Sequence, residues 1–109
     1  MDRSSHAFLS EETTQNVSSI FKALADPTRL RILYLLSQEE CSVSHISEVL
    51  SLSQSAISHQ LSFLRNLRLV KYRRSANTMY YSCDDEHVIS LLTQAIEHAE
   101  CDQRGGEHA

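Results

Sequence analysis

Residues 1–13 show no hydrophobic periodicity and read as a flexible N-terminal arm. Val17, Ile20, Phe21 and Leu24 then recur at helical spacing. Asp26-Pro27 closes that helix and opens a second, with Asp26 as N-cap and Pro27 in the first helical position. Leu30, Ile32, Leu33, Leu35 and Leu36 are too dense for a surface helix, so the second helix is predicted to be central. Gln38-Glu39-Glu40 is a polar break. Ser42 can cap a short third helix carrying Val43, Ile46, Val49 and Leu50, and Ser53 a fourth with Ile57, Leu61 and Leu64 inward. Two serine-capped helices about three residues apart are the pattern of a helix-turn-helix. From Leu69 to Ser82 the period changes to two. Val70, Tyr72, Met79 and Tyr81 alternate with Lys71, Arg73, Thr78 and Tyr80 around Ser75-Ala76-Asn77, which predicts a β-hairpin. Asp84 or Asp85 caps a last helix bearing Val88, Leu91, Leu92, Ala95 and Ile96, and residues 102–109 read as a frayed tail.

The pattern therefore predicts one mainly α (α+β) domain over residues 14–101. Its helix-turn-helix spans 42–66, its hairpin 69–82 and its last helix 84–101. A chain of 109 residues has room for a single core. No apolar run is long enough to span a membrane, and the polar N-terminus has no secretory apolar segment. The expectation is a cytoplasmic protein without a membrane partner. Its three cysteines, Cys41, Cys83 and Cys101, are not read as structural disulfides there.

A net charge of −4 counts against nucleic-acid binding, but the distribution of charge outweighs the total. Arg65, Arg68, Lys71, Arg73 and Arg74 fall close together, and no Asp or Glu occurs from residue 49 to residue 83. The acids gather from Asp84 onward. A solvated face would mix the signs, whereas this chain presents one positive surface. On the fourth helix, Gln54, Ser55, Ser58 and His59 are outward, uncharged-or-basic groups able to approach base edges in a major groove. Lys71, Arg73 and Arg74 of the hairpin would contact phosphates beside them. The expected partner is double-stranded operator DNA. The absence of a Gly-rich phosphate loop, or of a nucleophile–base pair at recognisable spacing, argues against an enzyme.

The run Phe21-Lys22-Ala23-Leu24-Ala25-Asp26-Pro27-Thr28-Arg29-Leu30-Arg31-Ile32-Leu33 resembles the second-helix entry of the ArsR/SmtB family of metal-responsive repressors. Ser53 to Leu61 resembles that family's recognition helix, and Asn66-Leu67-Arg68-Leu69-Val70 the entry to its wing. The similarity covers residues 15–101. It implies a winged helix-turn-helix homodimer, dimerising through its N- and C-terminal helices, that represses its operator when metal-free. Ala76 stands where the family's wing turn commonly has glycine, and Asn77 is then the residue expected to take a left-handed conformation.

The last helix carries Asp85, His87, His98 and Cys101, a donor set competent for tetrahedral zinc or cobalt. His87 and His98 lie within about 20° of each other on the helix surface but about 16 Å apart along its axis. One ion needs both nitrogens at about 2 Å, which a single straight helix cannot supply. An antiparallel copy can. Each of two sites would take Asp85 and His87 from one protomer and His98 and Cys101 from its partner. The resemblance implies the same placement, since the zinc-sensing branch carries D-x-H and H-x-x-H or H-x-x-E on this helix. Cys101 departs from that pattern, and Glu97, Glu100 or water could stand in for it. The free N–H of a ligating His98 ring is expected to reach a carbonyl in segment 66–69, with Arg68 the first choice.

The thiol-based branch uses Cys-Val-Cys where this chain has Ser42-Val43-Ser44, with Cys41 one position early, so that site is not expected. Cys83 reads as packed, and His45 and His59 as solvent- or phosphate-facing. His6 and His108 could complete a six-coordinate nickel site. The metal expected is zinc, then cobalt, with nickel behind them. The alternatives are a thiol- or nickel-responsive repressor of the same fold, or a metal-binding interaction domain that does not touch DNA.

Overall fold

The computed structural model describes residues 6–105. Five helices and a small sheet follow in the order α1 (Glu11–Leu24), α2 (Pro27–Gln38), β1 (Cys41–Ser42), α3 (Val43–Leu50), α4 (Gln54–Asn66), β2 (Val70–Ser75), β3 (Thr78–Cys83) and α5 (Glu86–Gly105). Helix α1 begins inside the segment expected to be an arm. Ser10 caps it by accepting from the Thr13 N–H at 3.1 Å, and Glu11 and Glu12 sit at its positive end. Polar first turns are invisible to apolar periodicity. At the other end, the α5 backbone continues through Gly105, beyond the boundary expected at 101. His108 lies outside the described residues.

The caps explain where the other helices start. Asp26 accepts from Arg29 N–H at 3.0 Å, with Pro27 in the first turn of α2. Ser42 accepts from His45 N–H at 3.1 Å, and Ser53 from Ala56 N–H at 3.0 Å. Asp85 Oδ1 accepts from Val88 N–H at 3.2 Å and so starts α5. Each such cap contributes about 1 kcal/mol to its helix. Three residues with positive φ mark the connections: Ser51 (57°), Arg68 (61°) and Ala76 (55°). Arg68 follows α4 in a left-handed C-terminal motif, with its N–H on the Arg65 carbonyl at 2.9 Å and the Leu69 N–H on the Leu64 carbonyl at 3.0 Å. In the two-residue wing turn it is Ala76, not Asn77, that takes positive φ. The Ser75↔Thr78 register leaves Ala76 as the first turn residue, where the twist of the flanking strands selects that conformation.

The hairpin pairs Tyr72 with Tyr81 and Arg73 with Tyr80, and β1 adds a third strand through Cys41↔Tyr81, giving the sheet order β1-β3-β2. The strand β1 falls at the edge of the polar break and is too short to show a period. The core gathers Ile32, Leu33 and Leu36 of α2, Ile46 of α3, Ile57, Leu61 and Leu64 of α4, Val70 of β2 and Leu92 of α5. Helix α2 is central, touching α1, α3, α5 and β3. Truncating a fully buried leucine such as Leu61 to alanine would cost about 2–5 kcal/mol. Helix α1 turns Ile20, Ala23 and Leu24 to this core and leaves Val17 and Phe21 exposed. No described helix is long and apolar enough to cross a membrane.

Candidate nucleic-acid interface and metal-ligand helix

The turn Ser51–Ser53 sets α4 beside α3, and Ile57, Leu61 and Leu64 anchor α4 completely. The opposite side of α4 is therefore outward by helical geometry. Gln54, Ser55, Ser58 and His59 are all exposed there. The helix is also clamped along its flank. Arg29 of α2 donates from Nε to Gln60 Oε1 at 2.9 Å, and its guanidinium lies 3.9 Å from the centre of the Phe63 ring. At its last turn Arg65 stacks 4.7 Å from the centre of Tyr72, joining α4 to the hairpin.

The wing divides its cations between two faces. Alternation along β2 puts Lys71 and Arg73 on one side and Tyr72 and Arg74 on the other. All three basic side chains are exposed. Arg73 is not free, however. Its Nε and Nη2 each meet a carboxylate oxygen of Glu40 at 2.8 Å, and it also stacks on Tyr80. This fork-to-fork pair spans 33 positions of sequence. Alternation within the hairpin carries no sign of it.

The four expected metal ligands fall into two pairs. Asp85 Oδ2 lies 3.5 Å from His87 Nδ1, with both side chains exposed at the start of α5. The Val88 N–H, and then His87, hold the Asp85 carboxyl below the usual carboxylate range, so it is ionised at neutral pH. His98 and Cys101 are exposed one turn apart near the other end. Because α5 is one unbroken helix, the two pairs stay about 16 Å apart within a chain. Each pair offers two of the four donors that a tetrahedral zinc or cobalt ion takes, so one chain alone does not complete a site.

Cys83 is buried, donating to the Leu33 carbonyl at 3.6 Å, and burial, with Asp85 nearby, pushes its thiol up to about 11. Cys41 is likewise buried and raised to about 11, by burial first and then by Glu39 and Glu40. Around Cys41 the fold brings together a set of side chains that sequence patterns leave apart. Glu39, Cys41 and His45 bring their ligand atoms within 4.8 Å of one another. The E-x-C-x-x-x-H spacing is visible in the sequence, but its convergence depends on the strand-to-helix turn at Ser42.

Residues 26–72 match the model of the arsR family of bacterial regulatory proteins. A transcriptional repressor SmtB homolog from Synechocystis sp. is 42% identical over 90 residues, covering 83% of this chain and 68% of that protein. A cadmium resistance transcriptional regulatory protein CadC homolog from Staphylococcus aureus is 41% identical over 91 residues, 83% of this chain and 75% of that one. Among solved structures, the homodimeric winged helix-turn-helix DNA-binding domain Mb0332 from Mycobacterium bovis superposes with a TM-score of 0.78 at 31% identity. That match covers 87% of this chain and 91% of the other.

Proposed function

The chain belongs to the arsR family of bacterial regulatory proteins, a transcriptional regulator and not an enzyme, and on that footing we propose that it is a cytoplasmic, homodimeric repressor whose hold on operator DNA is released by zinc or cobalt. The observation that carries the DNA half is the outward face of α4. Gln54, Ser55, Ser58 and His59 are exposed on a helix anchored by its buried stripe and held at its flank, in a stretch without a single acid. Direct readout needs such a rigid, unrepelled set of short donors and acceptors. The phosphate contacts come from Lys71 and Arg74, with Arg73 in reserve behind Glu40.

Dimerisation is supported by the shape of the protomer. Its radius of gyration is 17.2 Å, against about 13 Å for a compact domain of 100 residues. Phe21 on α1 is 55% exposed and Val17 38%. An apolar helix face with nothing over it calls for a second copy. Asp85 and His87 of one protomer, with His98 and Cys101 of its partner, would hold the metal. A bound ion supplies a cross-link between two α5 helices. Metal-free protomers are free to fit two half-sites about one helical turn apart. By reciprocity, operator binding then weakens metal affinity by the same factor that metal weakens operator binding.

Mixed dimers test the shared site. His87→Ala and His98→Ala proteins each lack a complete site as homodimers. Combined in one dimer, they leave one site with both histidines and one with neither. Half of the zinc stoichiometry lost by the parents should return on mixing, with release of labelled operator. If verified mixed dimers bind no more zinc than either parent homodimer, the ligands are not shared and the mechanism falls. Titrating the wild-type dimer on operator with zinc, cobalt, nickel and cadmium ranks the metals.

A further inference from the structure

We propose that Glu39, Cys41 and His45, at the junction of β1 and α3, form a second metal site for a borderline divalent cation such as zinc or cobalt(II), separate from the ligands of α5. Three donors come from seven consecutive residues, and the backbone fixes each of them. Glu39 and Cys41 are two apart on an extended stretch and so point to the same side. His45 stands in the first turn of α3, whose direction is set by the Ser42 cap on the His45 N–H. The Cys41 sulfur lies 3.5 Å from the Glu39 carbonyl oxygen, which holds it under the same turn.

The distances suit a small tetrahedral ion. Bonds of about 2.0–2.3 Å put neighbouring ligand atoms about 3.3–3.8 Å apart. His45 Nε2 and Glu39 Oε2 are already 3.8 Å apart, and no separation among the three donors exceeds 4.8 Å. Closure of about 1 Å at the widest pair is within reach of the exposed Glu39 and His45 side chains. The fourth position falls to water. Charge favours the same ligand. Glu40 is neutralised by Arg73, and the exposed Glu39 carboxylate supplies the negative charge that attracts a dication. A thiolate–imidazole–carboxylate set selects zinc or cobalt over magnesium or calcium.

The site owes nothing to the shared α5 site, and its test removes that site. A protein carrying His87→Ala, His98→Ala and Cys101→Ser is titrated with cobalt(II) without oxygen. One cobalt per chain should bind, with thiolate-to-cobalt charge transfer in the near ultraviolet and the intense visible bands of tetrahedral cobalt. Adding His45→Ala or Glu39→Gln, both at exposed positions, should weaken binding at least tenfold with unchanged circular dichroism. Adding Cys41→Ser should abolish the charge-transfer band. No cobalt bound by the triple variant, or a charge-transfer band indifferent to His45→Ala and Glu39→Gln, overturns the proposal. Should Cys41→Ser disturb the core, the two exposed substitutions decide alone. Loss of metal-controlled operator release in the wild type would leave these results untouched and count only against the α5 reading.

Discussion

Replacing Glu40 with glutamine should strengthen DNA binding and steepen its salt dependence. The carboxylate of Glu40 engages two nitrogens of Arg73 at 2.8 Å each, and the pair is partly exposed, at 34% and 58% for the two side chains. An exposed pair of this kind contributes about 0.2–1 kcal/mol, so the variant remains folded. Its effect on DNA is larger. Each phosphate neutralised by a cation adds about 0.9 to the slope of log K against log salt. One extra contact therefore makes binding about 3.5-fold more sensitive to a fourfold rise in salt. While Glu40 is present, Arg73 is neutralised within the protein. Arg73→Ala alone should leave the slope close to the wild-type value, and Arg74→Ala should make it shallower by about 0.9. Glu40→Gln should make it steeper by about 0.9, and Glu40→Gln with Arg73→Ala should return it to the start. Fluorescence anisotropy on operator and random duplexes over a salt series measures all four proteins. A full unit lost on Arg73→Ala, with no gain on Glu40→Gln, would mean that Arg73 abandons Glu40 for a phosphate and that the ion pair masks nothing.

Ser55→Ala and His59→Ala should lower the ratio of operator to random-duplex affinity, by about 1–3 kcal/mol for any side chain that makes a base contact, and leave metal stoichiometry unchanged; competition binding reads both. Alkylation followed by mass spectrometry should label Cys101 first at neutral pH, because thiols raised from 9.0 to about 11 hold about a hundredfold less thiolate. The same shifts set an alkaline limit. Thiols whose folded pKa is raised stabilise the fold below pH 9, and that contribution disappears as pH rises through 11, so urea midpoints should fall across this window. Ala76→Gly should raise the urea midpoint at unchanged slope by about 1 kcal/mol of stability, since an alanine held at φ 55° carries a left-handed penalty that glycine avoids.

Local signals were the legible ones. Ser42, Ser53 and Asp26 announce helix starts because a cap is a three-residue affair, and all three accept the expected N–H. Ile57, Leu61 and Leu64 declare the inward face of α4 because helical period and burial coincide. Anything closed by distant partners was not legible. The strand β1 exists only because β3 comes to lie beside it, and Glu40 meets Arg73 only once that sheet has formed. Val17 and Phe21 fit a helical stripe with Ile20 and Leu24, yet small Ala23 is the residue fully buried and those two face outward. Apolar spacing finds a face without telling a core from a face awaiting a partner. The separation of the donor pairs proposed on α5 followed from helix geometry alone.

The architecture also gives the α5 ligands a mechanical route to the reading helix. Val88 and Leu92 bury α5 in the core that α2 centres. Helix α2 in turn grips α4 through Arg29, with a hydrogen bond to Gln60 and a ring contact to Phe63. Three rigid elements thus stand in series from the ligand pairs to Ser55 and His59. Close-packed interiors do not stretch to absorb a displacement, so moving α5 is expected to move α2 and α4 with it. If the proposed site is shared, an ion held between protomers at opposite ends of one helix would fix both the spacing and the angle of two α5 helices at once. Through α2, those are the same variables that set the distance between two reading helices on DNA. On the proposed reading, an ion bridging the α5 helices and an operator spanning two half-sites would compete for the same protomer geometry, with no contact between metal and DNA.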